Sequence, residues 1–214
     1  MSSCEGGTVI TPTFGRQAGE DDRLMASLAA GDEAAGRVIV ERHLSQVLAV
    51  ARRMLGDPSE AEDVAQDTFM RAWAAAGRWE PGRAKLSTWL HRIAMNQCLD
   101  RLRKKKPEPL HPDYDAASDG PDPEAQLQDR QLAECIDGAI QSLPERQRAA
   151  IVLSHYQQLG NSEAADILAI SVEALESLLS RGRKALRLKL KSEWSELTGV
   201  PDRAPTMTPE RAER

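Results

Sequence analysis

The chain has 214 residues, enough for one ordinary domain or two small ones. Hydrophobic residues make up 41% of the chain and aromatic residues only 4%, a mixture that favours packed helices over a β-sheet. The net charge of −5 argues against a protein that coats nucleic acid with its whole surface. The three cysteines, Cys4, Cys98 and Cys135, have no metal-ligand spacing, so we expect reduced thiols and no metal site.

The chain shows no sign of a membrane segment or of an export signal. No apolar run approaches the ~20 residues that a membrane-spanning helix needs. Residues 1–20 lack the charged and then apolar pattern of a secretory signal, so we expect a disordered lead-in. These observations predict a cytoplasmic protein without membrane insertion.

The first predicted block, residues 21–106, contains a short helix followed by three longer ones. The short helix is expected at Asp22–Ala30. The next helix ends at Gly56, and its apolar stripe consists of Val40, Leu44, Val47, Leu48, Ala51, Met54 and Leu55. Asp57 and Pro58 then predict a capped helix start. The buried face of that helix is expected to be Ala61, Ala65, Phe69, Ala72 and Ala76. After a break at residues 78–83, the last helix is predicted from about Leu86 to Lys105.

A linker is predicted at residues 107–130, where the helical pattern stops. This stretch holds five prolines and seven acidic residues against one basic residue, Arg130. Such a composition offers few apolar groups to offset the entropy of ordering. We therefore expect two blocks that move independently about a flexible, acidic, proline-rich linker.

The second predicted block, residues 131–194, is again helical. Residues 162–168, then Ala169-Ile170-Ser171, then a longer helix from Val172 have the rhythm of a helix-turn-helix, with Ser171 as the cap. The proline-containing residues 195–214 are expected to form a flexible tail. The fold class is thus all-α, with two small helical domains of which the second contains the helix-turn-helix.

Basic residues end both blocks. One cluster is Arg101, Arg103, Lys104, Lys105 and Lys106, and the other is Arg181, Arg183, Lys184, Arg187, Lys189 and Lys191. Cations at a helix C-terminus can simply complement the helix dipole and remain solvated. Two such clusters in an otherwise acidic protein favour contacts to nucleic acid phosphates.

Three further patterns in the first block indicate binding surfaces. Trp79 lies among the cations of residues 78–85, as a stacking site for an unpaired base requires, although it can equally be a core residue that closes the loop. On the next helix Arg92, Asn96 and Arg103 share a polar face. Glu60, Asp63 and Asp67 lie on one helix face beside Gln66 and Met70, which is either a solvated face or a docking surface for a basic partner.

These motifs resemble those of a known family. Residues 62–69 (EDVAQDTF) and 89–96 (WLHRIAMN), followed by Asp100 and Arg103, resemble region two of the extracytoplasmic-function (ECF) sigma factors of bacterial RNA polymerase. Residues 143–148 (LPERQR) and 180–187 (SRGRKALR) resemble region four of the same family.

The resemblance implies a role for each candidate site. The factor would bind the polymerase core, recognise promoter DNA and promote melting for a stress or envelope-response regulon, under an anti-sigma factor. It would have no cofactor and no catalytic residue. Implied contacts to the clamp helices of the largest polymerase subunit are Asp63, Gln66, Asp67 and Met70. Implied contacts to the melted −10 element are Arg78, Trp79, Arg83, Lys85, Arg92, Asn96 and Arg103. Implied contacts to the −35 element are Ser171, Glu173, Glu176, Ser177, Ser180, Arg181, Arg183 and Lys184.

The sequence departs from the family at the recognition helix. It reads Val172-Glu173-Ala174, where the family commonly has Gly-Thr-Val followed by a basic residue, and Ala169 stands where a turn glycine is common. Glu173 and Glu176 repel phosphate, yet each can accept a hydrogen bond from a cytosine amino group.

Two other classes of function are compatible with parts of the sequence. A free-standing helix-turn-helix regulator, with the first block as a sensor or dimerisation domain, would protect an operator without polymerase. That alternative leaves the acidic face and the aromatic loop of the first block without a purpose. An enzyme is disfavoured because His43, His91, His111 and His155 are scattered and no glycine-rich phosphate loop exists. We expect His91 on a helix surface.

Overall fold

The computed structural model describes the backbone of residues 14–104, 133 and 135–198, and the side chains within residues 19–104, 133 and 135–191. Within those ranges the chain forms helices and no β-strand. The first block contains α1 (Phe14–Ala29), α2 (Glu33–Leu55), α3 (Pro58–Ala74), a 3-10 turn (Ala76–Arg78) and α4 (Leu86–Lys104). The second block contains α5 (residues 135–141), α6 (Glu145–Ile151), a π-helical turn (Val152–Tyr156), α7 (Asn161–Leu168) and α8 (Val172–Thr198).

The junction of α2 and α3 forms as the sequence predicts. Gly56 ends α2 in the left-handed region at φ 76°, and its backbone N–H donates to the Arg52 carbonyl. Asp57 caps α3, because its side chain accepts a 3.0 Å hydrogen bond from the Glu60 backbone N–H. Pro58 occupies the first turn, where its missing N–H costs nothing. This junction sets α2 and α3 side by side.

The core of the first block lies between α2, α3 and α4. All five residues predicted for the inner face of α3 and its continuation are buried: Ala61, Ala65, Phe69, Ala72 and Ala76. One polar link crosses this core: Gln97 donates to the Thr68 hydroxyl over 3.1 Å, and Thr68 donates to the Val64 carbonyl over 2.7 Å. Buried polar groups satisfied in this way fix the register of α4 on α3.

The helix-turn-helix predicted in the second block is confirmed. The Ser171 hydroxyl accepts from the Ala174 backbone N–H over 3.2 Å and caps α8. Ala169 occupies the left-handed turn position with φ 51°. Leu175 and Leu179 on α8 are buried in the same core as Ile167 on α7. A Cβ at Gly182 would lie 3.1 Å from Ile151, so glycine allows α8 to pack closely on α6.

The structure differs from the sequence-based boundaries at both ends. The first helix begins at Phe14 rather than Asp22, so part of the predicted lead-in belongs to α1. The last helix continues to Thr198 rather than ending near Trp194. The predicted linker, residues 107–130, lies outside the described residues, as do residues 1–13 and 199–214.

The two blocks lie against each other, which differs from the independent blocks expected. The α7 helix contacts α4, and α6 with its π-helical turn contacts α2. Lys85 and Glu163 form an ion pair of 2.8 Å across the boundary. Among the described residues, no helix is long and apolar enough to span a bilayer.

Candidate nucleic-acid and partner interfaces

An open apolar groove lies between α2 and α3. Its volume is about 470 Å³, and it is lined by Val40, Leu44, Leu48, Glu62, Ala65, Gln66, Phe69, Met70 and Trp73. Met70 is 55% exposed, and Leu44 and Trp73 are each 39% exposed. Large apolar side chains left in contact with water along one groove are typical of a protein interaction site. We call this feature the α2/α3 groove.

The apolar stripe predicted on α2 serves both the core and the α2/α3 groove, since Val40 and Leu48 also pack against the core. Val47, Ala51 and Met54 are buried as expected, whereas Val40, Leu44 and Leu48 line the open groove. The stripe on α2 is therefore wider than the core requires. Val40, Leu44, Leu48 and Trp73 are candidate functional residues that were not predicted from the sequence. Val40, Leu44 and Leu48 belong to the apolar stripe predicted on α2, and no pattern in the sequence singled out Trp73.

The acidic residues of α3 border this groove. Gln66 and Met70 lie within it, and Asp63 and Asp67 follow on the side that faces α4. Arg101 of α4 lies 3.7 Å from the Asp63 carboxylate and 3.4 Å from that of Asp67. All four residues predicted from the resemblance thus lie on one continuous surface. The charges of Asp63 and Asp67 are partly neutralised by Arg101, which belongs to the basic cluster predicted to contact phosphates.

The loop between the 3-10 turn and α4 holds the predicted aromatic and its cations. The Trp79 indole N–H donates to Asp22 of α1 over 2.8 Å, and its ring lies 5.2 Å from that of Trp89. Trp79 therefore holds the loop against α1 and α4. This is the alternative role predicted from the sequence, in which Trp79 is a core residue that closes the loop. Arg78, Arg83 and Lys85 are exposed, and the last two pair with Glu80 and Glu163 respectively.

The polar face predicted on α4 is exposed. Arg92, Asn96 and Arg103 are open to solvent, and Arg103 pairs with Asp100 one turn earlier. His91, by contrast, is only 3% exposed, so its predicted surface position is wrong. Burial together with the nearby His43 lowers the pKa of His91 to about 4, which keeps the ring neutral.

The recognition helix α8 presents its first turns to solvent. Ser171, Glu173, Glu176, Ser177, Ser180, Arg181, Arg183 and Lys184 are all exposed. A backbone hydrogen bond and one with Ser171 lower the pKa of Glu173, so this carboxylate is ionised at neutral pH. The Arg181 guanidinium donates to the Ser177 hydroxyl over 2.8 Å, and Asn161 of α7 donates to Glu176 over 3.4 Å. The start of α8 thus presents carboxylate hydrogen-bond acceptors to solvent, and the following turns present cations.

The described residues contain no group of three or more His, Cys, Asp or Glu side chains that could hold a metal ion. Cys98 is buried in the core, and burial raises the pKa of its thiol to about 12. A thiol with such a pKa is protonated and unreactive at neutral pH.

Family models match both blocks of the chain. The model for Sigma-70 region 2 matches residues 39–108, and the model for Sigma-70, region 4 matches residues 133–186. The first match runs from within α2 to the end of α4 and includes the α2/α3 groove, and the second covers the helix-turn-helix with Arg181, Arg183 and Lys184.

Curated relatives are similar over most of the chain. The ECF RNA polymerase sigma factor SigW of Bacillus subtilis (strain 168) is 36% identical in an alignment of length 173 that covers 75% of this chain and 91% of SigW. The ECF RNA polymerase sigma factor SigE of Mycolicibacterium smegmatis is 34% identical over 175 residues, covering 78% of this chain and 67% of SigE.

Two solved structures share the fold. CnrH in complex with the cytosolic domain of CnrY matches with a TM-score of 0.60 and 30% identity, over 81% of this chain and 98% of that one. The sigma factor RpoE in complex with the anti-sigma factor NepR from Bartonella quintana matches with a TM-score of 0.58 and 27% identity, over 72% and 96%.

Proposed function

Because this chain belongs to the family of ECF RNA polymerase sigma factors, we propose that each of its exposed surfaces carries one step of promoter recognition. The α2/α3 groove with its acidic border binds the polymerase core, α8 reads the −35 element, and the loop before α4 together with α4 holds the melted −10 strand. The factor acts in the cytoplasm beside the polymerase and supplies no catalytic group of its own.

The observation that carries this proposal is the α2/α3 groove. A dimerisation domain of a free-standing regulator can also present an apolar groove, but it has no need of the acidic border on this one. The groove is apolar along its floor and acidic at its border, so it fits an amphipathic helical partner with a basic side. The clamp helices of the largest polymerase subunit are the partner that the family resemblance implies. In this account their cations displace Arg101 from Asp63 and Asp67.

Exchanging Met70 for Asp tests the docking step. Met70→Asp places a charge in the groove, and since the side chain is already 55% exposed, the fold should lose little stability. We expect binding to core polymerase to weaken by at least tenfold, measured by titration of labelled protein. Val38→Asp is the matched control, since Val38 is an exposed α2 residue that does not line the groove. Equal binding of Met70→Asp and the control would contradict the assignment.

The −10 role rests on the exposed face of α4 and its preceding loop. Asn96 can pair with a base edge, and the nearby cations Arg78, Arg83, Lys85, Arg92 and Arg103 can hold the phosphates of a single strand. Trp79 also has a structural role, because its indole N–H donates a hydrogen bond to Asp22 of α1 and so holds the loop on that helix. We therefore treat Asn96 as the cleaner probe of strand recognition.

Replacing Asn96 with Ala should separate melting from binding. Base-edge contacts matter only once the strands part, so Asn96→Ala should form closed complexes normally and open them poorly. The readout is permanganate reactivity of promoter thymines with holoenzyme made from each variant. Gln46→Ala, an exposed polar change on α2, should melt the promoter like the wild type. Normal melting by Asn96→Ala would place the single-strand site elsewhere.

The −35 role rests on α8. Glu173 and Glu176 lie where base edges are in reach, and Arg181, Arg183 and Lys184 follow where phosphates flank the major groove. The carboxylates give this helix a preference for exposed cytosine amino groups. We further propose control by an anti-sigma factor, because one matched structure is a sigma factor bound to an anti-sigma factor.

A further inference from the structure

The loop before α4, residues 79–85, contains a preformed turn. The Arg83 backbone N–H donates to the Glu80 carbonyl over 3.3 Å, and the two side chains form an ion pair of 2.8 Å. Gly82 has φ 76°, a conformation that glycine adopts without the strain that a Cβ would cause. Residues 80–85 are all exposed, so this turn is held to the protein mainly through its two ends. We call residues 79–85 the α4 loop.

Trp79 fixes one end of the α4 loop. Its indole N–H donates to the Asp22 carboxylate of α1 over 2.8 Å, and its ring lies 5.2 Å from the Trp89 ring at an angle of 53°. A hydrogen bond to a charged acceptor is stronger than one between neutral groups. At the other end of the loop, Leu86 is buried in the core. The direction in which the turn extends from the protein therefore depends on Asp22.

Asp22 is held in place because α1 is fixed on α2. The neighbouring Asp21 carboxylate is buried, accepts a 2.6 Å hydrogen bond from Arg42 and lies 3.4 Å from Nε2 of His43. Met25, one turn further along α1, is completely buried. Asp21 thus secures α1 against α2, while Asp22 reaches the α4 loop. The match to the family model begins at residue 39, so Asp22 lies outside it.

We propose that Asp22 is a positioning residue for recognition of the melted −10 strand. The inference rests on the proposed function of α4 and of the loop that precedes it. By accepting the Trp79 N–H, Asp22 sets the loop so that Arg78, Arg83 and the α4 face with Asn96 meet one strand together. Without this hydrogen bond the loop adopts several directions, and the affinity for the strand falls with the fraction of loops that are competent.

Binding of a single strand by holoenzyme tests this role. The probe is a labelled single strand that covers the −10 region of a promoter transcribed by the holoenzyme, and it is titrated with holoenzyme made from full-length variants. We expect Asp22→Ala to weaken binding by about tenfold, because the loop loses a charge-assisted hydrogen bond. Asp22→Asn keeps an acceptor oxygen and should restore the affinity to within about threefold of the wild type. Wild-type affinity in Asp22→Ala would overturn the proposal.

Glu20→Ala is the matched control, since it removes another carboxylate from α1. Glu20 is exposed and pairs with Arg42 of α2 at 3.3 Å rather than with the loop. An exposed ion pair contributes little to stability, so this variant should bind the single strand like the wild type. Neither variant should change binding to core polymerase or to a −35 duplex, which a general loss of folding would weaken. Equal losses of strand binding in Glu20→Ala and Asp22→Ala would contradict a role for the hydrogen bond.

A double-mutant cycle tests whether Asp22 acts through Trp79. Trp79→Phe keeps an aromatic ring beside Trp89 but lacks the N–H donor, so it should weaken strand binding at least as much as Asp22→Ala does. The double variant should bind no more weakly than Trp79→Phe, because both changes break the same hydrogen bond. Losses that add would show that Asp22 acts by another route, and the proposal would be wrong.

Hydrogen exchange in the free, full-length protein reports on the hydrogen bond itself. The Trp79 indole N–H, followed by NMR, should exchange slowly in the wild type and at least about tenfold faster in Asp22→Ala. The backbone N–H groups of α3 should keep their protection in both proteins, since the core is unchanged. Rapid exchange of the Trp79 indole N–H in the wild type would show that Asp22 does not hold the loop.

The outcomes separate the positioning role from the function beneath it. If Asp22→Ala binds the single strand like the wild type while Asn96→Ala binds it weakly, the positioning role is wrong and the proposed function stands. If wild-type holoenzyme has no affinity for the −10 strand, the proposed function fails, and the positioning role fails with it.

Discussion

At the scale of single residues, His91 shows how context overrides a local pattern. A lone histidine between apolar positions of α4 was expected on the surface, yet α4 packs against α1, α2, α3 and α7 and exposes only a narrow strip. Neither ring nitrogen has a hydrogen-bond partner among the described residues. No spacing rule for one helix can reveal this, because the width of its buried face depends on how many neighbours it has.

The burial of His91 predicts acid sensitivity. The unfolded chain binds a proton at this ring near its ordinary pKa of 6.5, but the folded protein does so only near 4. Unfolding therefore takes up a proton between these values, and the free energy of unfolding should fall as the pH drops from about 6.5 to 4. The loss is about 3 kcal/mol at most.

Two leucine variants isolate this contribution. His91→Leu should flatten the fall in stability between pH 6.5 and 4, whereas His155→Leu, at an exposed histidine, should leave it in place. Denaturant unfolding at a series of pH values measures both, and protonation of acidic residues affects the two variants alike. An unchanged pH dependence in His91→Leu would show that the ring is not the group responsible.

Among the secondary-structure elements, the sequence predicted the helix caps and helix ends, because these depend on residues that are close together in the chain. The cap of α3 at Asp57, the end of α2 at Gly56 and the cap of α8 at Ser171 are confirmed, because each is decided within four residues. The groove lining was not predicted. Val40 and Leu44 have the spacing of core residues, and only the position of α3 decides that water reaches them.

The turn of the helix-turn-helix carries a local conformational cost. Ala169 has φ 51°, a left-handed conformation in which its Cβ crowds the backbone. Ala169→Gly removes that clash without changing the turn, so we expect it to stabilise the protein by about 1 kcal/mol. Thermal unfolding measures the gain. Ala165→Gly, at a buried helical position of α7, is the control and should destabilise.

The position of the acidic face of α3 was predicted from the sequence, but its ion pairs with Arg101 were not. Asp63, Gln66, Asp67 and Met70 do share one surface, as a 3.6-residue period requires. The partner Arg101 is 34 positions along the chain from Asp67, and a pattern within one helix carries no information about it. The structure therefore adds a competing cation, which any docking partner has to displace.

At the scale of the whole molecule, the sequence predicted two helical blocks but not their contact. The composition of residues 107–130 predicted that the two blocks move independently. In the structure, Gln141 and Arg148 of the second block bind the end of α2. Their partners Arg53 and Met54 lie 88 and 94 residues earlier in the chain, respectively. Contacts at such separations follow from the shapes of both blocks. These contacts between the blocks are therefore visible only in the structure.

All the surfaces described here serve one proposed role, in which this protein gives RNA polymerase its choice of promoter. The most direct measurement is run-off transcription by purified core polymerase on a library of genomic fragments, with and without the protein. We expect new start sites that appear only when the protein is added, that share common −35 and −10 sequences, and that are lost with Met70→Asp. A protein that adds no transcripts and instead protects an operator without polymerase would contradict it.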